Sequence, residues 1–438
     1  MLEQLIVGLK ALCATLPDRR KGENTTYAMT DIGLAAFATF FMQSPSFLAQ
    51  QTALARGRGT SNCQSLFAME KIPSDNHVRS MLDPVPPEIL LPMFGETLEA
   101  LDGGGGLEKF RRLGGRVLIA LDGTEYFCSQ KLSCPNCSSR ARANGKIEHF
   151  HAMLSAAMVA PGHDRALPLE PEFITPQDGA EKQDCESRAA HRWLARHGPK
   201  YAHLKPVYLG DDLSSRQPTC EAVQAIGANF LFTAKPSSHK TLYEWLDGAD
   251  VPRMEKKIKR GARFVTHRYR WLKGVPLRDG VVSKTRLRHD DALAVNWLEI
   301  EIVDAAGKVT YRNSFVTDLP VEAANVADLA ECGRSRWKIE NESFNTLKTK
   351  GYNLEHNFGH GQANLAAVLA TMNLLAFAMH TVADLVDTAW QAARAAVGTR
   401  KRFFEDLRAI TTYLVFPTWA SLVETLRSGL PPPLVRDG

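Results

Sequence analysis

The chain has 438 residues, enough for a large core and for two or three domains. Hydrophobic residues make up 44% and charged residues 23%, the proportions of a soluble globular protein rather than a disordered one. The net charge of +5 is too small to indicate a polyanionic partner by itself, and the eight scattered cysteines argue against a disulfide framework.

Residues 1 to about 100 read as helical. Leu2, Leu5, Ile6, Leu9 and Leu12 follow helical spacing, Asp31 is placed to cap a helix over 32–42, and Ser74 to cap a segment over 77–82. Pro84, Pro86 and Pro87 interrupt the pattern, and the glycine run 103–106 predicts a flexible junction and a domain boundary. No signal peptide is expected, because Met1-Leu2-Glu3-Gln4 carries an acid where a cationic segment would stand. The apolar run 365–382 is broken by Thr371, Asn373 and His380 and reads as a buried helix. The expected location is therefore the cytoplasm, with no membrane partner.

Past residue 106 the pattern changes to short apolar runs at 117–121, 150–160, 206–210 and 229–234, with helical stretches at 187–197 and 221–226 between the later ones. Strands alternating with helices argue for an α/β domain around a buried sheet. From about 250 to 318 the chain becomes strand-rich, with a hairpin turn at Asp304-Ala305-Ala306-Gly307. This block holds the charge concentration: residues 256–288 carry twelve Lys or Arg, among them Arg260, Arg263, Arg268 and Arg270, against Asp279 alone. Such a cluster is the footprint expected of phosphate-backbone binding. Helix resumes at 323 through the stretch 334–348, further helical segments are expected over 363–394 and 402–427 before the proline-rich 431–433, and no internal repeat is visible.

Two acids end apolar strands, Asp122 after 117–121 and Asp211 after 207–210, with Asp212 a rival for the second. Ligands of open α/β sheets gather outside strand ends, although a lone Asp there is more often a turn or a cap. A third acid lies in Arg334-Ser335-Arg336-Trp337-Lys338-Ile339-Glu340-Asn341-Glu342-Ser343-Phe344-Asn345-Thr346-Leu347-Lys348. On an α-helix, Arg336, Glu340, Phe344, Leu347 and Lys348 share one side, and Glu342 competes with Glu340. Three converging carboxylates repel unless a cation neutralises them, and hard divalent ions favour such oxygen ligands. The pattern points to metal-dependent phosphodiester chemistry on a long polyanion.

These residues resemble those of a DDE transposase of bacterial insertion sequences. Leu121-Asp122-Gly123-Thr124 is similar to the first-Asp strand of that family, Leu209-Gly210-Asp211-Asp212-Leu213 to the second, and Arg336-Trp337-Lys338-Ile339-Glu340-Asn341 to its Glu helix. Gly333 stands where the family pattern has tyrosine, and Lys348 lies one place beyond its lysine register. The resemblance implies an α/β fold: an RNase H-like mixed sheet flanked by helices, with a β-rich insertion and helical N- and C-terminal regions. The implied divisions are 1–102 (helical, DNA-binding), 107–248 and 321–380 (core), 249–320 (basic insertion) and 381–438 (helical). It also implies that Asp122, Asp211 and Glu340 hold two Mg²⁺ or Mn²⁺ ions. Arg336, Lys338, Lys348, Arg260, Arg263, Arg268 and Arg270 would contact DNA, and Trp271 and Trp297 are candidates to hold a flipped base, a place in the β-sheet core being the favoured reading of either ring. The expected partner is double-stranded DNA, at element ends and target, bound by a homodimer in association with the nucleoid. A domesticated DNA-binding relative, another RNase H-like nuclease, or a hydrolase of small phosphate esters are the alternatives.

Cys134-Pro135-Asn136-Cys137 has the spacing of half a zinc site, with Cys128, His149, His151 and Cys185 as available partners. A turn with two free thiols is the other reading. His356 and His360 are given no role beyond a loop.

Overall fold

In the computed structural model, residues 1–21, 25–50, 60–176, 184–261, 263–277 and 292–430 are described. The N-terminal region contributes α1 (Leu2–Cys13), α2 (Met29–Phe41), α3 (Thr60–Phe67), α4 (Asp75–Leu82) and α5 (Pro92–Gly103). Then come β1 (Leu118–Ser129), β2 (Ser138–Ala141), β3 (Ile147–Val159), β4 (Leu167–Pro168), β5 (Glu172–Ile174), α6 (Glu186–His197), β6 (Val207–Gly210), α7 (Gln217–Ala225), β7 (Asn229–Thr233) and α8 (Lys240–Asp247). The strand-rich block forms β8 (Arg253–Arg260), β9 (Arg263–Pro276), β10 (Ala294–Val303) and β11 (Val309–Thr317). Helices close the chain: α9 (Val326–Arg334), α10 (Asn345–Thr349), α11 (Leu365–Val386), α12 (Thr388–Val397), α13 (Arg400–Tyr413) and α14 (Trp419–Ser428).

All eleven strands among the described residues belong to one mixed sheet with the order β2-β3-β1-β6-β7-β11-β10-β9-β8, while β4 and β5 pair with β3. The β1–β3 pair is antiparallel, β1–β6 and β6–β7 are parallel, and β11 joins β7 antiparallel. The strand-rich block is therefore a continuation of the central sheet. Both faces are covered, which explains why the central strands read as unbroken apolar runs. Ile119 and Leu121 face a large core shared with α2, α5, α11 and the C-terminal helices. Leu118 and Ala120 face a second core with Leu298, Ile300, Leu329, Ile339 and Phe344, the period-2 alternation of a strand.

Three local expectations change. Asp31 lies inside the first turn of α2, buried, and its carboxylate accepts from the Glu70 and Lys71 amides at 2.8 and 3.0 Å instead of capping the helix. Ser74 is at the N-cap position of α4 without a side-chain cap hydrogen bond. The glycine run 103–106 is no free linker: a Cβ on Gly104 or Gly106 would come within 2.6 Å of Val386, so the absence of side chains lets this turn seat against α11. Among the described residues α11 alone is long and apolar enough to cross a membrane, and 89% of its apolar window is buried within the fold.

Candidate metal-binding active site

The first two acids are neighbours because of strand register. β1 and β6 run parallel with Leu118 opposite Val207 and Ala120 opposite Leu209. Two residues further along stand Asp122 and Asp211: Asp211 directly follows β6, whereas β1 does not end at Asp122 as its apolar run suggested but continues to Ser129, paired with β3 alone once its pairing with β6 stops at Ala120. Asp211 Oδ1 accepts from the Leu213 amide at 2.9 Å, which holds the turn after β6.

The third acid is delivered by a distorted helix. After α9 the chain makes a 3₁₀ turn (Ser335–Trp337) and then a π-helical turn (Ile339–Phe344) before α10. A π-turn inserts one residue into the helical register and is frequent at functional sites. It carries Lys348 back toward the place that position 347 would hold in an uninterrupted α-helix, a physical reason for the one-residue offset of the lysine. Ile339 and Phe344 are buried and anchor the turn, whereas Trp337 is 49% exposed.

Arg336 links the two ends of the site. Its Nη1 lies 3.0 Å from Asp122 Oδ2 and its Nη2 2.5 Å from Glu340 Oε1. A fourth carboxylate, absent from the sequence reading, completes the group. Glu186, in the first turn of α6, accepts from the Gly123 amide at 3.1 Å, and the same amide lies 3.0 Å from Asp122 Oδ1. A Cβ at Gly123 would come within 2.5 Å of Glu186 Oε2, so only glycine admits this approach. In the sequence Glu186 looks like any acid favoured by a helix N-terminus, so no local signal separates it.

Burial, followed by the charges of Glu186, Glu340 and Asp211, pushes the Asp122 carboxyl up to about 7, with Arg336 acting in the other direction. One guanidinium shared between two acids does not offset the desolvation of a group among three like charges. Glu186 is likewise raised, by burial first and then by Asp211. Burial works to lower the Arg336 pKa, but Asp122 and Glu340 outweigh it and the net movement is upward.

The rival acids are otherwise engaged. Asp212 accepts from the Lys235 amide at 2.6 Å and from the Ser238 hydroxyl, while it is Asp211 whose charge acts on Asp122, Glu186 and Arg336. Glu342 lines a different cavity, with Arg165, Arg394 and Arg400. Beside the acids is a cleft of about 460 Å³ lined by Asp211, Tyr311, Asn313, Gly333, Arg336 and Trp337. Gly333 has a steric cause: a Cβ there would lie 2.7 Å from the Phe315 ring, leaving no room for a tyrosine. Gly333→Tyr is expected to cost about 3 kcal/mol in urea unfolding, through overpacking. An unchanged midpoint would mean that Phe315 yields freely.

The remaining DNA-contact candidates divide. Lys338 donates to the His163 carbonyl at 2.5 Å, and Lys348 pairs with Glu355 at 2.8 Å. Arg268 pairs with Glu255, and Arg270 donates twice to the buried Glu299 while lying over the Trp297 ring, so Arg270 serves the sheet. Of the two readings of the tryptophans, both take the core one and not that of a flipped-base holder: Trp297 is 1% exposed and Trp271 is 8% exposed, packed in the cores on opposite faces of the sheet. Arg260 and Arg263 face each other at the β8–β9 turn, and their side chains lie outside the described residues. Lys256, Lys257 and Lys259 are exposed on β8, at one margin of the sheet.

A second group could also hold a metal. Ligand atoms of Cys134, Cys137, His151 and His360 all lie within 4.8 Å of one another. Of the partners considered from sequence, only His151 takes part; Cys128 and Cys185 are exposed and apart, and His360 comes from the loop that had been given no role. Burial pushes the Cys137 thiol up to about 11 and the His151 imidazole down to about 4. No protein-family model and no curated protein matches this sequence.

Proposed function

We propose that this chain is a DNA transposase of the DDE type, which cuts DNA at the ends of a mobile element and joins the freed 3′-OH to target DNA. The observation that carries the reading is Arg336, a single cation held between Asp122 and Glu340 in a group that Asp211 and Glu186 also reach electrostatically. Burial, and after it the neighbouring acids, hold the Asp122 carboxyl near 7 despite Arg336, so a bound cation would relieve the cost of its charge, and the donor set is all carboxylate oxygen, the preference of Mg²⁺ and Mn²⁺. Asp122, Asp211 and Glu340 would hold two such ions, with Glu186 as an added ligand. Bound there, the ions supply activation of the attacking oxygen and stabilisation of the leaving one.

The chain's own groups account for substrate handling. Arg336 is the cation nearest the acids and the one that would meet a phosphate at the cut. Trp337, exposed on the cleft beside Asp211, offers a ring on which a base can stack. The β8 lysines offer unspecific backbone contacts. We read the core as RNase H-like because an antiparallel β1–β3 pair is followed by parallel β6 and β7, with one acid on β1 just past the end of its pairing with β6 and the other directly after β6. The partner is double-stranded DNA, and by analogy with the family two copies act on paired ends.

The test is a supercoiled plasmid carrying the DNA that flanks the coding region, incubated with protein and Mg²⁺. Wild type is expected to nick and join it, and Asp211→Ala and Glu340→Ala to lose at least ~10²-fold, the scale of one lost transition-state contact. Wild-type protein that neither nicks nor joins, or alanine variants that cut equally well, would remove the assignment. Nicking without joining would replace transposition by nuclease activity.

A further inference from the structure

We propose that Cys134, Cys137, His151 and His360 form a closed, structural zinc site that clasps the loop before α11 to the strands carrying the first acid. It is separate from the carboxylate group in residues and in chemistry: two thiols and two imidazoles suit Zn²⁺, not Mg²⁺.

Four of the six edges between the ligand atoms have tetrahedral lengths, and the other two are within 4.8 Å. With Zn–S near 2.3 Å and Zn–N near 2.05 Å, a regular Cys₂His₂ site has an S···S edge of about 3.8 Å and S···N edges of about 3.5 Å. Cys134 Sγ and Cys137 Sγ are 3.8 Å apart. His151 Nε2 lies 3.5 Å from each sulfur, and His360 Nε2 lies 3.5 Å from Cys137 Sγ. Four edges thus match one ion at the centre. A disulfide would need the sulfurs at about 2.05 Å, and a pair of free thiols gives no reason for two imidazoles to turn the same nitrogen toward them. Two ring nitrogens and two sulfurs leave no open position, so the role is structural.

The ligands come from three places in the fold. Cys134 and Cys137 lie in the turn between β1 and β2, His151 stands on β3 opposite Phe127 of β1, and His360 is on the loop leading into α11. That loop is already fastened from its other side: Asp83 accepts from the Ala363 and Leu365 amides at 3.0 and 3.1 Å, and Arg79 Nε donates to the Phe358 carbonyl at 2.9 Å. Asn136 Nδ2, between the two cysteines, donates to the Ala363 carbonyl at 2.6 Å. The metal would therefore join parts of the chain 223 residues apart and tie the first-acid hairpin to the helical layer under it. Binding energy at such a site is folding energy.

The full-length protein, expressed with zinc in the medium and passed through gel filtration, is expected to carry about one zinc per chain by elemental analysis. Titration of metal-stripped protein with Co²⁺ should give the intense visible absorption of a tetrahedral ion and a thiolate charge-transfer band. His360→Ala should weaken zinc binding by more than the roughly 100-fold that loss of an outer-shell partner costs. His360→Cys, which keeps four ligands, should restore it with a cobalt spectrum shifted toward more sulfur. This rescue also separates lost ligation from lost folding. Wild-type protein that is zinc-free and silent with Co²⁺ overturns the site. Unchanged affinity in His360→Ala overturns the closed four-ligand assignment.

Discussion

Asp122→Asn is expected to abolish metal-dependent DNA cleavage and at the same time to stabilise the metal-free protein above neutral pH. Both effects follow from the environment of one carboxyl. The Asp122 side chain is 17% exposed, and burial with three neighbouring acids raises its pKa from 3.8 to about 7. A carboxyl raised in the folded state holds a proton that the unfolded chain releases. Between about pH 4 and pH 7 the folded form therefore binds more protons, and stability falls as pH rises through that window. The cost is absent below the unfolded value and fully present above about 7. Asparagine keeps the shape without the charge, and at pH 8 it should raise the unfolding free energy by on the order of 2–4 kcal/mol. Glu340 remains to neutralise Arg336, so the substitution does not strand that cation. The gain should vanish near pH 4, where wild type is protonated as well. Cleavage should fall by at least ~10²–10³-fold, because a neutral amide cannot replace a carboxylate as a divalent-cation ligand. Chelator-treated protein compared by urea unfolding at pH 4.5 and 8 measures the first effect, and plasmid nicking the second. A variant less stable than wild type at pH 8 would show that the Arg336 pairing outweighs the repulsion. One that still cuts would remove Asp122 from the chemistry.

Asp384→Ala should be strongly destabilising. Asp384, near the end of α11, has a side chain 4% exposed and sits among three arginines: Arg400 at 3.0 Å, Arg165 at 3.3 Å and Arg394 at 3.4 Å. It also accepts from Trp390 Nε1 at 2.8 Å, which fixes the start of α12. The arrangement joins the loop after β3 to the C-terminal helices. Deleting the acid leaves Arg394 and Arg400, whose side chains are 15% and 16% exposed, facing each other without their counter-charge. Breaking a buried pair from one side costs about 3–5 kcal/mol, since the remaining charge is desolvated and uncompensated. Far-UV circular dichroism during urea titration reads this directly. A loss under about 1 kcal/mol would mean that water reaches the arginines through the adjoining cleft, which Arg165, Arg394 and Arg400 line.

Much of the architecture was legible in the residue pattern because it depends on local periodicity. Runs of consecutive apolar residues at 117–121 and 206–210 require cover on both faces, and both became central strands. The turn Asp304-Ala305-Ala306-Gly307 needs a positive φ at its glycine, and the β10–β11 hairpin follows, with Gly307 at +82°. Asp122 and Asp211 were visible because polarity changes abruptly after each apolar run, but only Asp211 follows a strand end; β1 continues past Asp122 to Ser129. The apolar run 365–382 read as a buried helix, and α11 is buried.

What required tertiary structure is whatever depends on two distant segments meeting. Glu186 reaches Gly123 across 63 residues, and nothing in its own neighbourhood distinguishes it from a helix-start acid. His360 meets Cys137 across 223 residues, so a CxxC pair could not by itself name its fourth partner. Trp271 and Trp297 each stand between a polar residue and a leucine, so local pattern leaves open which face of the sheet is wet, and only the cover on both sides decides that both rings are buried. The helix bearing Glu340 carries the same lesson at short range. Spacing alone gives a uniform α-helix, but packing of Ile339 and Phe344 against the sheet accompanies a π-turn that shifts every later residue. Sequence pattern fixes which surfaces must be hidden, since burial of apolar area is set by local composition. Which polar groups then share a site is decided by register and packing, because their interactions fall off within a few ångströms and have no period along the chain.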